Sequence, residues 1–251
     1  MAEESSVRVL ERACQVLDCF TADAPRLRIA DIRRLTGLPT TTVARIVKTL
    51  VNQELLDKDG DDYRLGHRVL VWSAPAIAGS DVIAVAGPVV EQLRDLTHET
   101  SGFYIRQGAN RVTVVGALST HSVVYRGFVG QVRPLHAGAA GKVFMAFDDA
   151  ALEAALAKGL DRYTPNTPTD PKALRRDLEV VRSRGWAFAG EEIELGLNSV
   201  AAPVYGASGA LVGVLAAGGP SFRLTEADAK EYGPMMAKIG LAMSKRLGYP
   251  D

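Results

Sequence analysis

Thr40, Thr41 and Thr42, followed by Arg45 and Lys48, put hydroxyls and cations on one side of a short segment, "TGLPTTTVARIVKTL". Such a set neutralises and hydrogen-bonds a polyanion rather than breaking covalent bonds. The wider stretch from Arg26 to Lys48 carries six cations (Arg26, Arg28, Arg33, Arg34, Arg45, Lys48) against one anion, Asp31. That local excess is what contacts to nucleic-acid phosphates require. A second kind of chemistry is offered by "HAGAAGKVF": Gly138, Ala139, Ala140 and Gly141 lead into a helix. Unpaired backbone N–H groups at such a start suit a carboxylate or another anion, although small residues also let a helix pack closely on a sheet. A nucleotide phosphate loop is excluded, because His136 and Val143 stand where that signature needs Gly and Ser or Thr.

Other reactive constellations are missing. "GASGA", residues 206–210, lacks the final Gly of a nucleophile elbow, and His67, His98, His121 and His136 fall in unrelated settings. Glu191 and Glu192 are adjacent and read as an exposed or salt-bridged acidic loop. Phe103, Tyr104, Tyr125 and Phe128 suit either a pocket wall or a core. Cys14 and Cys19 lie on different faces of one helix, and no Cys/His cluster has metal-ligand spacing. No catalytic residue, no metal site and no cofactor is expected.

The elements that must position these groups follow from apolar spacing. Val43, Ile46, Val47 and Leu50 form an i, i+3, i+4, i+7 stripe, so a helix from about Thr40 to Glu54 buries one face and turns its threonines and Arg45 outward. Gly37 and Pro39 place a sharp corner before it, after a helix over 29–36 with Ile29, Ile32 and Leu35 directed inward. An earlier helix spans 7–20, and "TADAPRLR" is a loop. Asp59-Gly60 centres a hairpin, and three helices followed by a hairpin make a winged helix-turn-helix. The hairpin tip carries Asp57, Asp59, Asp61 and Asp62, so it is expected to meet phosphates only through Lys58 and Arg64.

Beyond His67 the pattern is helical to about His98, with breaks near Pro75, Gly79-Ser80 and Gly87-Pro88. "FYIRQ", "RVTVVGAL" and "SVVYRGF" then read as strands, and "SVAAPVYGASGALVGVLAAGG" as a hairpin of two apolar strands. Helices are expected at 142–159, 171–185 and 225–247, the last opened by Thr225 with Asp228 three residues on. Strands and helices alternate without βαβ rhythm, which predicts an α+β domain with an antiparallel or mixed sheet.

The totals allow two unequal domains in 251 residues, with 29 Lys plus Arg balancing 29 Asp plus Glu. The acidic, polar start "MAEESSVRVL" offers no leader and no apolar run reaches spanning length, so the cytoplasm is expected and no membrane partner.

In their order along the chain, "SVRVLERACQVLDCF", "LTGLPTTTVARIVKTL", "YRLGHRVL", "PLHAGAAGKVFMAF" and "RSRGWAFAGEEIELGLNSVAAPVYGASGALVGVLAAGGP" resemble the IclR family of bacterial transcriptional regulators over nearly the whole length. The resemblance implies a DNA-binding domain at 1–66, a dimerising linker helix at 67–84 and a GAF-like effector domain at 85–251. It implies a dimer, or a dimer of dimers, on a palindromic double-stranded operator, with a small-molecule effector, often a carboxylate or aromatic catabolite. The expected function is a ligand-responsive repressor of a catabolic or metabolic operon. The alternative is a small-molecule-binding enzyme or sensor whose N-terminal helices only dimerise.

Arg26, Arg28 and Lys48, from the cation-rich stretch, are expected near the DNA backbone, and by position the resemblance assigns DNA contact to Thr40, Thr41, Thr42 and Arg45. It assigns effector contact to Gly138, Ala139, Ala140 and Gly141, and to Asn198 and Ser199. Ala189, Ala216 and Gly218 stand where such pockets commonly carry Asp or Ser, which implies a roomier, more apolar cavity and a bulkier or partly apolar effector, such as an aromatic one; the alternative is an empty, ligand-independent domain. Arg33 replaces a usual small residue, so its stem must snorkel out of the corner or contact phosphate, and Gln53-Glu54 replace a usual Gly, so the helix end is expected to differ.

Overall fold

The computed structural model describes residues 7–21 and 24–250, apart from the side chains of residues 77 and 78. The first residues of the polar start and Ala22 and Asp23 of the loop at 21–28 lie outside them. The chain divides into two compact units, Met1–Gly79 and Ser80–Asp251.

The first unit is built from α1 (Arg8–Leu17), α2 (Ile29–Thr36), α3 (Thr40–Asn52), the hairpin β1 (Leu56–Asp59) and β2 (Asp62–Leu65), and α4 (Arg68–Ala78). Its core gathers Val16, Phe20, Leu27 and Ile32 around the α3 stripe Val43, Ile46, Val47 and Leu50, with Leu56 from β1. Asp31 accepts the Arg28 N–H at 3.2 Å, which closes the start of α2, and Gly37 ends it in the left-handed region at φ 67°. Leu35 does not face inward: it is 53% exposed. Two steps of three residues fall about 120° short of full turns, so Leu35 has rotated off the face that Ile29 starts.

Where α3 gives way to the hairpin, Glu54 sits at φ 58°. This is the left-handed region that costs a side-chain-bearing residue roughly 1–2 kcal/mol. Glu54→Gly is expected to raise the stability of this unit by up to about 1 kcal/mol, since glycine relieves the strain but also loosens the unfolded chain. Calorimetric unfolding of the two proteins side by side measures it.

The second unit is a six-stranded sheet in the order β5-β4-β3-β8-β7-β6, every pairing antiparallel. The strands are β3 (Thr100–Gln107), β4 (Asn110–Ala117), β5 (Val132–Pro134), β6 (Ala187–Gly190), β7 (Leu197–Tyr205) and β8 (Leu211–Pro220). Helices α5 (Asp81–Thr97) and α9 (Glu226–Arg246) cover one face; α6 (Ala139–Phe147), α7 (Asp149–Lys158) and α8 (Pro171–Arg184) form the layer on the other. Alternation along the strands divides the core accordingly. Val200, Ala202, Val204, Leu215 and Ala217 join the α5/α9 cluster, while Ala201, Val214 and Ala216 join the α6–α8 cluster. A sheet buried on both faces explains why its strands read as continuous apolar runs.

The structure corrects two expectations here. α4 runs through Pro75 and α5 through Pro88, so between residues 68 and 97 the helix breaks only around Gly79-Ser80, where Ser80 Oγ accepts the Ile83 N–H to open α5. Each proline removes one donor from its helix, which leaves the ladder weakened but continuous. "SVVYRGF" is not a strand but a loop, and pairing with β4 resumes only when the Gly130 N–H reaches Thr113 O at 2.7 Å. α9 opens as expected, Thr225 and Asp228 exchanging backbone N–H bonds of 2.8 and 3.3 Å. Among the described residues no single helix is long and apolar enough to cross a membrane.

Candidate functional site

Two surfaces carry the groups singled out above, one in each unit. On α3, Thr40, Thr41, Arg45 and Lys48 are exposed and Thr42 is half-buried, opposite the fully apolar stripe. No side chain caps the α3 N-terminus at Pro39, and while the Thr42 N–H donates to Pro39 O at 2.9 Å, the Thr40 and Thr41 amides have no hydrogen-bond acceptor among the described residues and can donate to an anion. Among the described residues Arg45 and Lys48 make no ion pair. Arg33 also projects to solvent, its stem clear of the corner. Arg26 and Arg28 are held differently: Arg26 Nη1 lies 2.7 Å from Asp59 and Arg28 Nε 3.1 Å from Asp62. The acidic hairpin thus neutralises the two cations on the loop beside it. Arg64 lies 3.5 Å from Asp57, so it too is engaged.

In the second unit a cleft of about 490 Å³, partly open to solvent, lies between the sheet and the start of α6. Gly138, Ala140, Ala189, Ser199, Ala216 and Gly218, all singled out in the sequence, line it. Ala139, Gly141 and Asn198 do not. The Ala139 N–H donates to Ser199 Oγ at 3.2 Å. Gly141 lets α6 pass against Leu135, whose carbonyl oxygen would stand 1.8 Å from an added Cβ. Asn198 fastens the neighbouring turn, accepting the Glu191 N–H at 3.0 Å and donating to Leu224 O at 2.9 Å.

The sequence did not assign the apolar Ile193, Leu197 and Ala217 to this lining, and it missed or left open four polar lining groups. Tyr104 comes from β3, with burial raising its phenol to about 12. Tyr125 comes from the 122–128 loop, fixed by Thr100 Oγ1 to its carbonyl at 2.7 Å and by its own hydroxyl to Gln131 at 2.8 Å. Phe103 faces the opposite core. Arg111 on β4 is buried, its Nη1 donating to Pro134 O and, at 2.8 Å, to Ala137 O.

Glu192 is the fourth, and it is buried rather than exposed. Its carboxylate accepts the Gly138 N–H at 2.9 Å and pairs with the buried Lys142, which also meets Asp177 at 2.6 Å. Burial lowers the Lys142 pKa, but Glu192 and Asp177 more than offset this and hold it above the usual lysine value. Burial raises Glu192, against the pull of Lys142 and Gly138. Thr164 and Thr167 hydroxyls hold the carbonyls of Glu191 and Glu192 at 2.6 and 2.7 Å, so the acidic turn is locked inward. Among the described residues no cluster of three or more His, Cys, Asp or Glu side chains could hold a metal ion.

A winged helix-turn-helix with an unpartnered, cation-bearing helix face, joined in one chain to an α+β unit with an internal cleft, defines a DNA-binding transcriptional regulator. The model of the bacterial transcriptional regulator IclR C-terminal domain matches residues 74–245, and that of the IclR helix-turn-helix domain residues 9–60. The chain belongs to the IclR family. It is 30% identical over 250 residues to the transcriptional repressor AllR of Escherichia coli K12, covering 98% of this chain and 92% of that one. It is 29% identical over 248 residues to the transcriptional regulator XynR of the same strain, covering 97% and 98%. The crystal structure of an IclR homologue from Microbacterium hydrocarbonoxydans complexed with 4-hydroxybenzoate superposes with a TM-score of 0.77 at 25% identity, covering 95% of this chain and 98% of the other. An IclR regulator from Alicyclobacillus acidocaldarius gives 0.84 at 25% identity, covering 96% and 98%. These relatives regulate transcription, which sets aside the enzyme alternative.

Proposed function

We propose that this regulator is a repressor that binds a palindromic operator as a dimer, or as a dimer of dimers, and responds to a small organic effector, a carboxylate or aromatic compound, in its C-terminal cleft. The observation that carries the reading is the two-sided character of α3: one face locked into the core, the other presenting Thr40, Thr41, Arg45 and Lys48 with no side-chain partner among the described residues. Such a helix can lie in a major groove without disturbing the packing beneath it. Dimerisation is supported by Leu70, Val71 and Trp72 on α4, three adjacent large apolar side chains exposed in the segment 67–84 that we assign to the linker. The homologue bound to 4-hydroxybenzoate supports the effector class. Occupancy of the cleft acts on DNA only if the effector prefers one spacing of the two reading heads.

The test is retention of a palindromic fragment from upstream of the protein's own coding region, measured across salt concentrations. A linear loss of log affinity with log salt is expected; absence of DNA binding at every salt concentration would sink the proposal. The ion pairs of the hairpin add a sharper expectation. Exposed pairs of this kind contribute about 0–1 kcal/mol each, so Asp59→Asn with Asp62→Asn leaves folding nearly unchanged. Releasing Arg26 and Arg28 to phosphates should tighten operator binding and steepen the salt slope by about two. Fluorescence anisotropy titrations at several salt concentrations read both.

A further inference from the structure

We infer that Arg111 anchors the carboxylate of an aromatic acid in the cleft, with the ring against the small or apolar Ala189, Ala216, Gly218, Ile193 and Leu197. The inference rests on the reading of this unit as the effector domain and names the group that recognises the effector.

The sequence points to the start of α6 as the anion site, but the structure shows two of its amides, those of Gly138 and Ala139, taken from within. Glu192 takes the Gly138 N–H and Ser199 Oγ takes the Ala139 N–H. A second carboxylate approaching those amides would meet the charge of Glu192 at close range, which disfavours it strongly inside a cleft. Glu192 is in turn balanced by Lys142, and Lys142 by Asp177 as well. Within this cluster the cation without a carboxylate is Arg111. It is 6% exposed, and none among the described residues lies within ion-pair distance of it. Its Nε is buried with no hydrogen-bond partner, and Nη2 makes no hydrogen bond among the described residues while lying 2.8 Å from where a Cβ on Gly138 would stand. Burial lowers its pKa, outweighing the opposite pull of Tyr104, Tyr125 and Glu192.

Buried cations are otherwise paired, and an arginine with two unspent donors on one edge matches a carboxylate in a forked geometry. Gly138 is the reason the edge is reachable, since any side chain there would collide with Nη2. The rest of the lining sets the body of the ligand. Ala189, Ala216 and Gly218 leave a smooth strand surface, and Tyr125 packs on it with Cδ1 3.5 Å from where a Cβ on Gly218 would be. A flat ring buries its faces on such walls, whereas a short aliphatic acid leaves most of the apolar lining wet.

The experiment is calorimetric titration of the full-length protein with benzoate and 4-hydroxybenzoate, with the neutral benzamide and 4-hydroxybenzamide, and with propionate. At least one aromatic acid is expected to bind, at least tenfold more tightly than its amide and than propionate. Arg111→Gln should remove the preference for acid over amide, and Arg111→Lys should keep part of it. Because Arg111 also holds two carbonyls, the wild type supplies a second readout. Its Nε–H resonance, identified by its loss in Arg111→Lys, should move on adding acid and stay on adding amide. Equal binding of acid and amide, tight binding of propionate, an unmoved resonance, or no binding by either acid would overturn the inference. Operator retention is measured on the same preparations. Retention without acid binding removes the anchor and leaves the regulator, while acid binding through Arg111 without retention does the reverse.

Discussion

Replacing Arg45 by alanine is expected to lower operator affinity by roughly ten- to a hundredfold, the ~1–3 kcal/mol of an arginine that reads a base edge. The residue is placed for that role: it projects from the exposed face of α3, one turn beyond Thr41, and no carboxylate among the described residues competes for it. Its removal takes nothing from the core, which is held by Val43, Ile46, Val47 and Leu50 on the far side. Melting behaviour should therefore stay within about 0.5 kcal/mol of the parent, as for other surface substitutions. Lys48→Ala makes the contrast. Deleting a cation that only neutralises phosphate should weaken specific and nonspecific DNA binding alike and flatten the salt slope by about one. Anisotropy titrations of operator and scrambled duplexes separate the two variants, and an Arg45→Ala protein that binds as its parent does would end the case for α3 as the reading helix.

The largest stability effect is expected at Lys142. Substituting methionine leaves the Glu192 carboxylate buried with only the Gly138 N–H for company, a loss of about 3–5 kcal/mol at neutral pH. For a domain of about 10 kcal/mol, in the middle of the typical range, roughly a third to a half of the stability would go. The sign of the pH dependence follows. Glu192 already has a raised pKa, so the variant carboxyl takes up a proton on folding more readily still, and the deficit should shrink as pH falls toward and below the ordinary glutamate range of 4.5. In the parent, Lys142 stands above its ordinary 10.5, so its contribution is present below that value and is lost as pH rises through the higher folded pKa. Pairing Lys142→Met with Glu192→Gln removes the stranded charge and should recover much of the loss. Denaturant unfolding of the three proteins at two pH values tests all of this.

The helices and the hairpin of the first unit were legible because their signals are local. The α3 stripe, the Gly37 stop and Asp59-Gly60 each specify backbone over a few residues, and the Thr225/Asp228 cap did the same for α9. Leu35 was misread because spacing by threes on a short helix drifts around its axis. "SVVYRGF" was misread because its apolar residues have strand propensity, whereas its shape is set in large part by tertiary bonds from Thr100 and Arg223 that no short window of sequence contains. The cleft was half legible. Its small residues announce themselves by motif, but Arg111 and Glu192 look like any surface charges until β4 and the 191–196 turn bring them inward. A charged residue within an otherwise apolar strand, as Arg111 is in "NRVTVVGA", was the one available signal. Glu54 shows the opposite case, a left-handed backbone that favours glycine at a position where the sequence has a glutamate.

The sheet of the second unit is a single strand layer with a different neighbour on either side. Ala216 faces the cleft, and Leu215 next to it supports the core beneath α5 and α9. The partition has no slack: interiors are packed as densely as organic crystals, so a guest that moves β8 by a fraction of an ångström on one side must be accommodated on the other. The floor of the cleft is therefore also the bed on which α5 rests, and α5 begins two residues after the first unit ends.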